Sequence, residues 1–206
     1  KKDLKIDDFI CSLLLQRQVN SLKKAQKFFR PDINLLHDPF LMKDMKKVVA
    51  KIQNSKEHRI MILGDYDVDG TTSTAMLYKY FKNMDYDLLY YIPDRYEEGY
   101  GVSEKAIEHA EINKVSLIIT VDCGIKAIHQ VDLSNSKNID VVICDHHLPG
   151  EQIPNAFGIL NPKQENCNYP FKELCGCGIA YKLIIAHNSL VESSIDTSIF
   201  LDFVAL

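Results

Sequence analysis

The sequence lacks the features that mark exported or membrane proteins. Its 206 residues contain no apolar run as long as a membrane span and no charged-then-apolar leader, so we expect a cytoplasmic protein without membrane contact. Its cysteines follow neither a disulfide framework nor a metal-knuckle spacing. They are Cys11, Cys123, Cys144, Cys167, Cys175 and Cys177. This spacing favours small buried thiols in a reducing compartment, and a zinc site on Cys167, Cys175 and Cys177 is the alternative.

Charge is unevenly divided along the chain. Residues 1–56 hold 13 Lys and Arg against 6 Asp and Glu, a balance of +7, and residues 57–206 hold 11 against 22, a balance of −11. A basic flank beside an acidic body suits a protein that holds a polyanion with one part and divalent cations with the other. Alternatively, the lysines only solvate exposed helix faces.

The first 56 residues predict a helical N-terminal preface. Residues 7–19 have apolar side chains at helical spacing, a second helix begins after a Ser21 cap, and Asp38-Pro39 is a cap followed by a proline. We expect the third helix to continue from this proline through residue 52.

Residues 57–206 predict an α/β domain with a parallel sheet and helices on both faces. Short apolar runs rich in β-branched residues indicate strands, and segments of helical spacing separate them. The expected strands are 59–64, 87–92, 116–121 and 140–145, with 157–160 as a fifth apolar run. The expected helices are 71–82, 103–111 with a Ser103 cap, 125–135, 178–187 and 193–206.

The acidic residues follow the predicted strands. Ligands of an open parallel sheet bind outside the carboxyl ends of its strands, so side chains that end different strands should meet at one edge. These candidates are Asp65, Asp67, Asp69, Asp122, Asp145, His146 and His147. Carboxylates packed together repel one another unless protons or cations neutralise them.

This ligand set predicts a site for Mn²⁺ or Mg²⁺. Oxygen ligands with one or two imidazoles and no thiolate suit these ions, and the ligands suffice for two of them. Two such ions lower the pKa of a bound water and stabilise charge on attacking and leaving oxygens, which predicts phosphoester hydrolysis. A calcium loop is excluded because the position that would need a glutamate is Met76. Taken singly, Asp122 could instead cap the helix after Gly124, and the histidines could be ordinary loop residues.

Four motifs carry a family resemblance. In order, DYDVDG, PDRYEEGYG, VDCG and CDHH resemble the first motifs of the DHH phosphoesterase superfamily, and specifically of the RecJ single-strand exonucleases. The resemblance spans about residues 38–206 and includes LCGCGIAYKL. It implies a 5′-to-3′ exonuclease that releases mononucleotides from single-stranded DNA in repair and recombination.

The resemblance also implies roles for individual residues. Asp67, Asp69, Asp122 and His146 correspond to metal ligands, with Asp65 and His147 contributing, and Asp145 orients the histidines. The motif PDRYEEGYG is the candidate substrate-binding stretch. Arg95 can hold a phosphate through two hydrogen bonds, and the glycines let the backbone approach the substrate closely. The candidate substrate-binding residues are Arg95, Gly99, Tyr100 and Gly101. Tyr96 or Tyr100 could stack on a base, and Thr71 and Thr72 could meet a phosphate or merely cap their helix.

The resemblance also indicates what lies outside this sequence. RecJ-like proteins have a further metal-binding aspartate and a second domain, DHHA1, beyond the position of Leu206, so we expect the chain alone to be weakly active or inactive. A helicase and a single-strand-binding protein are candidate partners, and the sequence leaves open whether they deliver the DNA. The alternatives are a phosphodiesterase acting on short oligonucleotides or cyclic dinucleotides, and a non-catalytic nucleic-acid-binding module of replication.

Overall fold

A five-stranded parallel sheet forms the centre of the protein, as a computed structural model shows. The structure describes residues 5–191 and 193–206; residues 1–4 of the expected preface and residue 192 lie outside this range. The strand order is β2-β1-β3-β4-β5. The strands are β1 Arg59–Leu63, β2 Leu88–Tyr91, β3 Val115–Val121, β4 Asp140–Cys144 and β5 Gly158–Leu160. The predicted fold class and the four predicted strands are therefore confirmed, and the fifth apolar run also forms a strand.

Helices cover both faces of this sheet. Alternate strand residues enter two separate apolar clusters, as the two-residue period of a strand requires. One cluster includes residues of α3, α4 and α7, and the other includes residues of α5 and α6. The helices are α1 Asp8–Gln16, α2 Leu22–Phe29, α3 Met45–Asn54, α4 Val68–Lys82, α5 Glu104–Ile112, α6 Ile128–Ser136, α7 Gly176–Leu190 and α8 Leu201–Val204. No helix in the described part of the chain is long and apolar enough to cross a membrane.

Two predicted helices are broken. The segment expected to run from Pro39 to Ile52 begins as a 3-10 turn, Pro39–Leu41, and α3 starts only at Met45. Asp44 interrupts it with a left-handed backbone (φ 69°), and its side chain accepts a hydrogen bond from Ile159 N instead of capping α3. The segment expected to be helical over 193–206 is a 3-10 turn capped by Asp196, followed by the short α8.

Backbone contacts divide the chain into units Lys1–Leu36 and His37–Leu206. In the first unit, Ser21 caps α2 as expected, accepting a hydrogen bond from Lys24 N. The division differs from the predicted boundary at residue 56 because α3 buries Val48, Val49 and Ile52 in the core of the α/β unit. The functional division into 1–56 and 57–206 stays a prediction.

A buried histidine joins α4 to α7 inside this core. His187 is fully buried, and its ring nitrogens lie 2.9 Å from the Tyr80 hydroxyl and 3.0 Å from the Tyr86 hydroxyl. Burial, with a smaller contribution from Lys56, lowers the pKa of His187 to about 4. The fold therefore accommodates the neutral imidazole only.

This burial predicts a pH dependence of stability. The His187 imidazole has a pKa of about 6.5 in the unfolded protein, so above this pH it is neutral in both the folded and the unfolded state. Below this pH it binds a proton in the unfolded state but stays neutral in the folded state, which favours unfolding. Between pH 7 and pH 4 the wild-type free energy of unfolding should fall by about 3 kcal/mol more than that of His187→Gln. Urea titrations at several pH values measure this, with the exposed His58→Gln as control. Parallel curves for wild type and His187→Gln would contradict the assignment.

Candidate metal centre

The carboxyl ends of β1, β3 and β4 bring the predicted ligands to one edge of the sheet. Asp65 follows Gly64 at the end of β1, and Asp122 and Asp145 come directly after β3 and β4. Asp122 N donates to Cys144 O at 2.9 Å, and Asp145 N donates to Leu160 O at 3.0 Å, so both residues still belong to the parallel ladder. Because these three strands are neighbours, their first loop residues face one another.

Asp122 and His146 make direct contact. His146 Nε2 lies 3.1 Å from Asp122 Oδ1 and 3.7 Å from Asp69 Oδ2. Asp122 is almost fully buried, has a left-handed backbone (φ 59°), and its Oδ1 accepts no hydrogen bond from a described residue. Its side chain does not cap α6, which begins at Ile128. The alternative of a helix-capping Asp122 is therefore wrong.

Asp65 is a buried carboxyl without a hydrogen-bonding partner. Its side chain is fully buried, and neither oxygen meets a donor of the described residues in hydrogen-bond geometry. Burial raises the pKa of Asp65, although the backbone N–H groups of Tyr66 and Gly101 offset part of the effect. An ionised carboxylate in this position needs a positive charge beside it.

Asp67 and Asp69 are held by the N-termini of two helices. Asp67 caps α4, where it accepts a hydrogen bond from Gly70 N at 2.9 Å. Asp69 accepts from Gly176 N at 2.6 Å and from Cys177 N at 2.7 Å, so both of its oxygens bind the start of α7. These hydrogen bonds from two helix N-termini fix the positions of both carboxyl groups.

The start of α7 also packs directly against Asp122. A Cβ at Gly176 would lie 2.7 Å from both the Cβ and the Oδ1 of Asp122, so only glycine allows this approach. Sequence reasoning noted the run LCGCG by resemblance but missed this contact. Its two glycines at a helix start were the available signal.

Asp145 contacts both the backbone and the ring of His147. Its Oδ1 lies 3.0 Å from the His147 backbone N and 2.7 Å from the ring Nδ1, and its Oδ2 accepts from Ile125 N at 2.9 Å. An Nδ1–H donated to Asp145 leaves His147 Nε2 with a lone pair for a ligand. This geometry agrees with the orienting role predicted for Asp145, and the role itself stays a prediction.

The electrostatics of the cluster favour a bound cation. Burial, followed by the charges of Asp69, Asp67 and Asp145, raises the pKa of Asp122 well above its usual range. Burial and the neighbouring His147 lower the pKa of His146. A divalent ion would neutralise the carboxylates and use the neutral imidazole as a ligand.

The donor set is suited to Mn²⁺ or Mg²⁺. Among the described residues, one group has ligand atoms close enough to share an ion, within 4.8 Å of one another, and it comprises Asp122, His146 and His147. It contains no thiolate, and oxygen with imidazole ligands suits these ions. Cys167 lies elsewhere, where its sulfur accepts from Lys43 N. The described residues therefore give no support to a zinc site on cysteines.

The stretch after β2 brings Arg95 and Tyr100 to the same edge. The exposed Arg95 guanidinium lies 5.4 Å from the ring centroid of Tyr66, an arrangement that sequence reasoning missed. Tyr100 donates its hydroxyl to Asp122 O at 2.8 Å, and its ring packs edge-on against Tyr66. Gly99 and Gly101 have φ values of 80° and 83°, which glycine adopts readily.

Three further residues were candidates for contact with the substrate, namely Tyr96, Thr71 and Thr72. Tyr96 is 93% exposed and available to stack on a base. The hydroxyls of Thr71 and Thr72 donate to Asp67 O and Val68 O, both at 2.7 Å, within the first turn of α4. Of the two alternatives for these threonines, the structure favours bonding within the helix over contact with a phosphate.

Comparison with known proteins gives consistent matches. The sequence model of the DHH family, N-terminal domain, matches residues 59–206. The single-stranded-DNA-specific exonuclease RecJ of Bacillus subtilis is 42% identical over 193 residues, which are 93% of this chain and 24% of that protein. The same exonuclease of Escherichia coli is 40% identical over 129 residues, 62% of this chain and 22% of that protein. The chain thus spans about a quarter of the length of these relatives.

Solved structures agree with this similarity. A crystal structure of exonuclease RecJ bound to manganese superposes with a TM-score of 0.70 at 28% identity, covering 80% of this chain and 42% of that one. RecJ of Thermus thermophilus in complex with Mn²⁺ gives a TM-score of 0.69 at 24% identity, covering 85% and 24%. The second match shows the fold alone.

The close contact between the start of α7 and Asp122 predicts that adding a methyl group at Gly176 weakens metal binding. Gly176→Ala should displace Asp122 or loosen the two hydrogen bonds to Asp69, and so weaken Mn²⁺ binding by about 10- to 100-fold. Isothermal titration calorimetry measures the affinity, and circular dichroism checks the fold. Gly178→Ala is the matched control, because its Cβ would meet first the flexible end of Leu174, at 3.2 Å. Wild-type affinity in a folded Gly176→Ala protein would contradict the proposed contact.

Proposed function

The chain belongs to the DHH family, and from that membership we propose that it forms part of the catalytic domain of a metal-dependent exonuclease that degrades single-stranded DNA. The proposed reaction is hydrolysis of phosphodiester bonds from the 5′ end to mononucleotides. One observation carries the proposal: carboxylates and imidazoles from the ends of three strands meet at one site. Two of these carboxylates, Asp65 and Asp122, are buried, and at least one oxygen of each has no hydrogen-bond donor among the described residues. The relatives named single-stranded-DNA-specific exonuclease support the choice of substrate.

Each residue of the cluster has a proposed task. Asp67, Asp69, Asp122 and His146 hold divalent ions, Mn²⁺ or Mg²⁺, with Asp65 and His147 completing the site. Bound there, the ions supply charge stabilisation to the oxygens of a phosphodiester and lower the pKa of water. Asp145 fixes the tautomer of His147, and the N-termini of α4 and α7 hold Asp67 and Asp69 in place.

Arg95 is the proposed substrate ligand beside this cluster. A guanidinium presents paired N–H donors that match a phosphate, and it stacks on the Tyr66 ring without losing them. Tyr100 positions the cluster rather than a base, since its hydroxyl donates to the Asp122 carbonyl. Tyr96 is the tyrosine of this stretch that we propose to stack on a base.

The biological setting belongs to the same proposal. We place the activity in the cytoplasm, in DNA repair and recombination, with DNA delivered by a helicase and a single-strand-binding protein. The alternative of a non-catalytic module is disfavoured because all the predicted ligand positions hold carboxylates or imidazoles, which such a module has no chemical need to keep together.

The proposal predicts which change abolishes activity. In the full-length protein, Asp67→Ala should lower 5′-to-3′ release of mononucleotides at least about 100-fold, more than the loss expected for a residue that only orients a ligand. The assay uses single-stranded oligonucleotides labelled at either end, in Mn²⁺. Asp132→Ala, which removes an exposed carboxylate on α6, is the control and should retain wild-type activity.

Other outcomes of this assay would redirect the assignment. Cleavage of dinucleotides or cyclic dinucleotides alone would keep the metal chemistry and overturn the proposed substrate. No cleavage of any phosphodiester would favour the non-catalytic module. We expect residues 1–206 alone to be weakly active or inactive, and robust hydrolysis of single-stranded DNA by this chain would contradict that expectation.

A further inference from the structure

A basic groove lies beside the start of α3, away from the metal centre. It has a volume of about 450 Å³. We call it the α3 groove and define it by its six polar lining residues, Lys43, Asp44, Lys46, Lys47, Asn166 and Asn168. The three lysines are exposed.

The charge of the α3 groove is only partly compensated. Lys47 pairs with Asp44 at 3.4 Å. Lys43 Nζ donates to the carbonyl of Glu165 at 3.2 Å and keeps its charge, and within the described residues neither Lys43 nor Lys46 has a carboxylate in salt-bridge range. The groove therefore has three lysines against one aspartate, in a unit (residues 37–206) that holds 16 Lys and Arg against 24 Asp and Glu, a balance of −8.

The end of the α3 groove that contains Lys43 lies beside the loop that follows the carboxyl end of β5. Asp44, just before α3, accepts from Ile159 N, and Ile159 pairs with Ile143 near the carboxyl end of β4. Lys51, near the other end of α3, forms an ion pair with Asp140 at the start of β4. α3 is thus antiparallel to the strands: Lys43, before α3, contacts the loop that follows β5, whereas Lys47 in its first turn lies over the ring of Phe157, the residue before β5.

A hydrogen-bonded segment connects the metal centre to this region. Asn161 Nδ2 donates to His147 O at 2.9 Å, and Lys163 N donates to Asn161 Oδ1 at 2.8 Å. Lys163 is therefore placed just beyond the metal ligands on the β5 side, where Lys43 contacts the loop of Glu165 and Cys167. Lys163 itself forms an ion pair with Glu173 at 3.3 Å, so the uncompensated positive charge on this side of the metal centre lies at Lys43 and Lys46 of the α3 groove.

Arg95 lies on the other side of the metal centre. It follows β2, which is one edge strand of the sheet, whereas β5 is the other. The carboxyl edge of the sheet therefore has basic groups at both ends and acidic, cation-binding groups between them. A polyanion lying across this edge would meet Arg95, the metal centre and the lysines in sequence.

We propose that the α3 groove binds the sugar–phosphate backbone of the single-stranded DNA substrate, on the side of the metal centre opposite to Arg95. This proposal rests on the proposed function. It adds the path of the DNA, which crosses the edge of the β-sheet from β2 towards β5. Lysine ammonium groups and asparagine amides donate to phosphate oxygens without reading the base, as a nuclease of low sequence preference requires.

The test is a charge-neutralised variant of the full-length protein. Lys43, Lys46 and Lys47 are replaced together by glutamine, and affinity for a single-stranded oligonucleotide is measured from 50 to 200 mM salt, with a chelator present so that the strand is not cut. At about 0.7 per phosphate contact, the slope of log affinity against log salt should decrease by about 2, with about tenfold weaker binding at the low-salt end.

Two further variants make the result specific. Lys79, Lys82 and Lys114, replaced together by glutamine, remove the same charge from exposed positions outside the groove and should leave the slope unchanged. Arginine at positions 43, 46 and 47 should preserve it. A shift of the melting temperature by Mn²⁺ in every variant verifies that the metal centre is intact.

The outcomes separate this proposal from the proposed function. If the parent protein binds and degrades single-stranded DNA, and the groove variant has the same salt slope as the control, the α3 groove is not part of the DNA path. If the parent protein has no salt-dependent affinity for single-stranded DNA, the proposed function itself fails, and the groove proposal fails with it.

Discussion

Repulsion between carboxylates at one edge of a parallel sheet is the constraint on which the rest of this structure depends. The strand ends place Asp65, Asp122 and Asp145 together, and such a cluster is unstable unless donors or cations surround it. Asp145 is satisfied by Ile125 N and by His147. Asp67 and Asp69 receive helix N–H groups. Asp65 and one oxygen of Asp122 accept no hydrogen bond from the described residues. We therefore expect the cation to bind next to these oxygens.

The helices that stabilise the carboxylates also belong to the apolar core. α7 gives its first N–H groups to Asp69, and its later turns bury residues such as Ile179 and Leu183 against the sheet. At its far end, His187 bonds to two tyrosine hydroxyls in the same core. The ligand geometry is thus fixed by packing over the length of a helix, which is a firmer support than a loop provides.

Local sequence patterns predicted the sheet and the meeting of its ligands, because both depend on short-range features. Five apolar runs buried on two faces mark parallel strands, and acidic residues directly after them must share an edge. The break before α3 could not be predicted this way, since Asp44 is diverted by Ile159, far along the chain. For the same reason, local patterns could not predict the hydrogen bonds from Gly176 N and Cys177 N to Asp69, or the contact between Arg95 and Tyr66. These interactions form only when segments that are distant in the sequence pack together.

The absence of a side chain at Gly176 has a consequence for reading other sequences. Because the helix start approaches Asp122 more closely than any Cβ allows, the position tolerates no substitution while Asp122 keeps its place. A protein of this fold that has lost its ligands is released from that restriction, and larger residues can accumulate there. We therefore expect glycine at this position wherever an aspartate occupies the place of Asp122 in the same geometry.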